Sequence, residues 1–274
     1  MKGKIQMKKI LIASLILATS HSIFAADNKT TAKPDAFAKA TQLYEAKNYP
    51  AAFQEMQRLA ESGNAQAIYN LGYMTQTGQG TVKDEKKAVQ YYQDASNKGF
   101  AKASYTLAQA YHLGHLGISK NTQKYKEYLD KASNQGSEEA IVETAKILFE
   151  QGKPEYDQIA VQKLLPLLRK DYYPAKHLKT IYDLSLGVKN KNPIMQEQAI
   201  DNIKELARKG YAPSLMVLGN MLANGGIIDQ DLEQAKNIFT RLAAANYPNA
   251  KESLAKVEEA IAAQKVASAK PTKK

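Results

Sequence analysis

The chain has 274 residues, 44% of them hydrophobic, a formal net charge of +11 and no cysteine. That apolar content is enough for a buried core, and the missing thiol excludes disulfides, thiolate metal sites and a thiol-linked lipid anchor. The charge does not indicate nucleic-acid binding: residues 1–25 and 263–274 each carry four lysines and no acid, leaving +3 for the body between them, whereas a nucleic-acid surface concentrates charge on the folded part.

Residues 1–25 have the form of a secretory signal peptide. Lys2, Lys4, Lys8 and Lys9 make its positive start, Ile10 to Ala18 its apolar core, and Ile23-Phe24-Ala25 a small-residue cleavage site that leaves Ala26 first. Met7 is an alternative start for the same signal. The apolar run is far short of the ~20 residues that cross a bilayer as a helix, and no later stretch approaches that length, so no transmembrane segment is expected. The expected address is a bacterial periplasm, with secretion as the alternative. Residues 26–35 read as a linker.

From residue 36 to 262 the chain repeats itself. Residues able to adopt left-handed backbone angles recur as Gly63, Gly99, Gly136, Asp171, Gly210 and Asn246, spaced by 36, 37, 35, 39 and 36 residues. Each suits the position just past a helix end, where a Cβ clash is otherwise incurred. Four positions on stand Ala67, Ala103, Ala140, Ala175, Ser214 and Ala250; nine positions on stand Gly72, Ala108, Ala145, Thr180, Gly219 and Ala255. Small residues on fixed rungs let one helix backbone lie close to its neighbour.

Each repeat reads as two antiparallel helices. The first runs from the small residue to a glycine turn such as Gly78-Gln79-Gly80 or Gly225-Gly226. The second starts at Asp84, Asn121, Asn192 or Asp231, whose side chains can accept from the first-turn amides. A preceding pair, from about Ala36 to Ser62, supplies the first unit. Pro166 falls inside a second helix and is expected to bend it, and the loop around Leu186 to Asn192 is expected to be long. Residues 263–274 read as a basic disordered tail. The fold expected is all-α: a right-handed superhelical α-solenoid of about six or seven antiparallel helix pairs.

Leu71-Gly72, Gly78-x-Gly80, Asp84, Lys87-Ala88, Tyr91-Tyr92 and Gly99 together resemble the Sel-one-like repeat, a relative of the tetratricopeptide repeat. The stretches 100–136 and 211–246 resemble it well, and 137–171 and 172–210 in degenerate form. The resemblance implies a scaffold or adaptor that binds a partner protein or peptide, commonly exported in bacteria. A cell-wall association, with peptidoglycan as partner, is the runner-up. A disulfide-rich subgroup of the family is linked with β-lactam hydrolysis, and a chain without cysteine departs from it.

Catalytic and metal chemistry find little support. Ser253-x-x-Lys256 matches one motif of penicillin-recognising hydrolases, but the companion S-D-N and K-T-G strings are absent. His112 and His115 lack a third ligand at useful spacing. The adjacent pairs Glu138-Glu139 and Glu258-Glu259 diverge on helices. No catalytic residue, metal or cofactor is expected.

A partner surface is the remaining candidate. At ~100° per residue, positions 4, 5, 8, 9 and 12 after each closing residue form one buried stripe, and positions 3, 6, 10 and 13 lie opposite. The sixth position holds Tyr69, Tyr105, Val142, His177 and Met216; the tenth holds Tyr73, Gln109, Lys146, Ile181 and Asn220. Tyr69, Tyr73, Tyr105, Gln109, His112, Lys146, His177 and Asn220 are therefore the candidate partner-binding residues. The alternative for Tyr69 and Tyr105 is that they fill the groove between adjacent units.

Overall fold

The computed structural model describes residues 37–268, and these hold thirteen helices and no strand. They follow as α1 (Ala38–Glu45) and α2 (Tyr49–Glu61), α3 (Ala65–Thr77) and α4 (Glu85–Asn97), and α5 (Ala101–Leu113) and α6 (Thr122–Asn134). Next come α7 (Glu138–Glu150) and α8 (Pro154–Arg169), α9 (Tyr173–Lys189) and α10 (Pro193–Arg208), and α11 (Ala212–Asn224) and α12 (Leu232–Ala244). A single helix, α13 (Ala250–Ser268), ends the series. The helices form two compact units that divide between residues 164 and 165, inside α8. Pro166 lies just past that division, and α8 runs on through it to Arg169. No helix among the described residues is long and apolar enough to cross a membrane.

The closing ladder explains how each pair leads to the next. All six closing residues have positive φ, from +53° at Asn246 to +92° at Gly136. This left-handed step ends one helix and turns the chain into the following one. The fourth rung, from Ala67 through Ser214 to Ala250, is 0% exposed in all six copies. On the ninth rung, a Cβ at Gly72 would come within 2.7 Å of the Tyr92 ring, and one at Gly219 within 2.7 Å of the Phe239 ring. The second helix of each of these pairs thus lays an aromatic face directly on the backbone of the first. Apolar burial of such rings supplies much of the stability, at about 25 cal/mol per Å².

Capping follows the sequence. Asp84, Asn121, Asn192 and Asp231 accept from the backbone N–H three residues on, at 2.9, 2.9, 3.1 and 2.8 Å. Asn48, Asn64 and Ser137 cap α2, α3 and α7 in the same way.

Two boundaries differ from expectation. The segment around Leu186 to Asn192 is not a long loop: α9 extends to Lys189, and the turn is only residues 190–192, with Lys191 at φ +53°. This repeat has no Gly-x-Gly turn. Its Gly187 stays helical, and its carbonyl accepts from Asn192 N at 2.8 Å and from Gln196 Nε2 at 3.0 Å. At the other end, residues 263–268 continue α13 instead of beginning the tail. Ile261 stands fifteen residues past Asn246, where Gly78, Gly114 and Gly225 end the earlier first helices. The Ala262-Ala263-Gln264-Lys265 that follows favours helix. The signal segment 1–25, the linker 26–35 and residues 269–274 lie outside the described residues.

Candidate functional site

The sixth position is largely buried rather than opposite the buried stripe. Tyr69, Val142, His177 and Met216 are 8%, 3%, 4% and 4% exposed, and Tyr105 is half-buried. A first helix inside a stack is covered by more than its own partner, so its buried arc is wider than the stripe of a surface helix. Tyr69 sits 5.2 Å from both the Tyr92 and Phe100 rings, with Lys102 Nζ 5.6 Å from its centroid. Burial raises the Tyr69 hydroxyl above its ordinary pKa. His177 shares a 2.8 Å hydrogen bond between Nδ1 and Ser214 Oγ, and its ring meets Tyr211 edge-on at 5.5 Å. Burial lowers its pKa from 6.5 to about 4.

Tyr105 and Gln109 are joined by a residue that the sequence did not single out. The Glu143 carboxylate on α7 accepts from Tyr105 Oη at 2.8 Å, Gln109 Nε2 at 2.9 Å and Tyr125 Oη at 2.7 Å. Two helices of one repeat are thereby tied to the first helix of the next. Burial first, and the adjoining carboxylate second, raise both phenols. Glu143 occupies the seventh position, where other repeats hold Asn70, Thr106, Leu178 and Val217. Nothing in that series flags it, because its partners lie 18 to 38 residues away. A second internal tie joins Ser96, Ser104 and Gln135: the two hydroxyls lie 2.7 Å apart, and Gln135 Nε2 donates to Ser96 O at 2.8 Å.

The tenth position remains the more accessible. Tyr73, Lys146 and Asn220 are half-buried, Gln109 is turned to Glu143, and Ile181 is buried. Lys146 Nζ stands 3.9 Å from Glu150. His112 is exposed at the end of α5, its ring 4.6 Å from that of Tyr125. Tyr73, His112 and Lys146 therefore offer an aromatic, an imidazole and an ammonium group on first helices of one compact unit.

The other chemistry-bearing residues are dispersed. Lys256 Nζ donates to Glu252 at 2.6 Å on an exposed helix face, so the lysine of the Ser253-x-x-Lys256 pair is engaged elsewhere. Among the described residues no group of three or more His, Asp or Glu could hold a metal ion.

Comparison with known proteins agrees with this geometry. Residues 65–100, 101–137 and 212–247 match the Sel1 repeat. Chitin synthase regulatory factor 3 of Schizosaccharomyces pombe is 27% identical over 266 residues, covering 81% of this chain and 28% of that protein. Human protein sel-1 homolog 2 is 35% identical over 118 residues, covering 43% of this chain and 16% of that protein. The chain thus spans less than a third of either relative's length. Among solved structures, a Sel1 repeat protein from Oxalobacter formigenes superposes with TM-score 0.66 at 24% identity, over 81% of this chain and 87% of its own. A protective antigen of uropathogenic Escherichia coli strains gives TM-score 0.65 at 23% identity, over 82% of this chain and 48% of its own. The chain thus carries Sel1 repeats in three segments, and helix pairs continue in both compact units.

Proposed function

We propose that this protein is an exported scaffold of the bacterial cell envelope that binds a partner protein or peptide on the faces of its first helices. Sel1 repeats serve as protein-interaction scaffolds, which supports the binding part. The observation that carries it is the division of labour among polar groups. Glu143, Ser104, Gln135 and His177 are consumed in tying repeats together, while Tyr73, His112 and Lys146 stay accessible. A stiff array presenting aromatic and polar groups on successive helices suits an extended segment, since little ordering entropy remains to be lost on binding.

Export rests on the lysine-rich start, the short apolar run and the Ala25–Ala26 junction. Fractionating the native host tests it. The chain is expected in the periplasmic or culture fraction with Ala26 as its first residue. A cytoplasmic chain that keeps residues 1–25 contradicts the proposal.

A further inference from the structure

The last helix departs from a pattern that the second and third repeats keep. In the second repeat the turn between α3 and α4 lies on the first turn of α2: a Cβ at Gly80 would come within 2.6 Å of the Tyr49 carbonyl carbon and 3.0 Å of Phe53 Cβ. In the third repeat the turn between α5 and α6 lies on the start of α4. Leu116 packs into the cluster holding Ala88 and Tyr92, and Gly117 faces Glu85. Each turn thus covers the N-terminal turn of the preceding second helix.

Helix α12 has the same start, with Leu232, Ala235 and Phe239 in the places of Glu85, Ala88 and Tyr92. Among the described residues no turn follows over it, because α13 continues past Ile261; Ile228 and Ile261 pack on its cluster instead, and Leu232 is 7% exposed. Beside it opens a hollow of about 850 Å³, within the size range of ligand pockets. The half-buried Ile228 and Ile261 line it above the buried Leu222 and Leu232, together with Asp229, Glu233 and Gln234. Lys204 and Lys265 also line it, so the rim carries both signs of charge.

We propose that this hollow is a docking site for a partner segment that enters as a turn with an aliphatic side chain at its tip, as Leu116 does within the chain. The surface is the direct continuation of the repeat-to-repeat interface, and that interface specifies the occupant. The aliphatic tip lies over Leu232 and Ile228. Side-chain oxygens of Asp229, Glu233 and Gln234 accept the main-chain N–H groups that a turn leaves unpaired. The inference rests on the scaffold proposal only in supposing a protein partner, and it uses residues other than Tyr73 and His112.

A labelled peptide of residues 112–122, the turn that fills the equivalent place in the third repeat, provides the probe. Titrated with the mature chain and followed by fluorescence anisotropy, it is expected to bind saturably, with a Kd below about 1 mM. Leu116→Asp in the peptide, or Gln264→Trp in the chain, should weaken binding at least tenfold. Gln264 is exposed on α13, so the Trp enters the hollow without disturbing the core, and an unchanged melting temperature verifies this. Absence of binding up to about 1 mM, or binding that ignores both changes, overturns the proposal. So does a dimer of the chain that Gln264→Trp dissolves, because the occupant is then a second copy. If the peptide fails while Tyr73 and His112 still cross-link to a protein partner, the docking site falls and the scaffold stands.

Discussion

Gly80→Ala is expected to lower the unfolding free energy by about 3 kcal/mol or more, while Gly99→Ala lowers it by only about 1 kcal/mol. Both glycines have left-handed backbones, at φ +76° and +89°, so both substitutions incur the same conformational strain. They differ in what a methyl group meets. Around Gly99 nothing lies within 4 Å, whereas at Gly80 the added carbon overlaps the Tyr49 carbonyl and presses on Phe53 Cβ. The Tyr49 carbonyl belongs to the first turn of α2 and cannot swing aside as a side-chain tip would. Urea unfolding followed by circular dichroism measures the two variants side by side. Equal losses would mean that the turn does not rest on the preceding helix and would remove the basis of the repeat-to-repeat interface.

A second large effect depends on pH. His177 is buried and neutral in the folded chain, its pKa lowered from 6.5 to about 4 by burial. Once unfolded, the imidazole titrates near 6.5 and binds its proton more readily than the folded form does. Between pH 6.5 and 4 the unfolded state therefore holds more protons, and stability falls as pH falls. Above pH 7 neither state is protonated and His177 adds no slope. A gap of this size corresponds to about 3 kcal/mol lost by pH 4. His177→Gln removes the titration. The difference between wild type and variant should be flat above pH 7 and should shrink by about that amount on acidification. The paired carboxylates Glu55 and Glu205, whose pKa values are lowered by hydrogen bonds from Arg58 and Lys209, contribute equally to both curves and cancel. An unchanged acid slope in the variant would refute the assignment.

The sequence displayed the repeat because its signals are local. A left-handed residue, a small rung and a capping Asp or Asn each act within one turn of helix, and all six closing residues adopt the expected φ. The array behind those signals was legible for the same reason. What stayed hidden depends on neighbours far along the chain. A lone helix with one buried stripe leaves the sixth position free, whereas Tyr69 is enclosed by Tyr92 of α4 and by Phe100. Glu143 was invisible for the same cause. Two helices run further than the repeat pattern implies because a stop signal is absent: without a Gly-x-Gly turn α9 continues through Gly187, and without a glycine at 261 α13 runs on to Ser268. Of the candidate partner residues, Tyr73 and His112 keep accessible surface, Gln109 and Tyr105 serve Glu143, and Tyr69 and His177 belong to the interior.

Covalent capture in the native envelope tests the scaffold most directly. A photo-reactive side chain is placed at Tyr73 or His112, and in a control chain at Lys86, which is exposed on the second helix of its pair. Cross-linked products are then identified by mass spectrometry. The account predicts one or two proteins recovered in near-equal amount with the chain from Tyr73 and His112, and little from Lys86. Recovery of wall-glycan fragments alone, or of no protein above background, would contradict it.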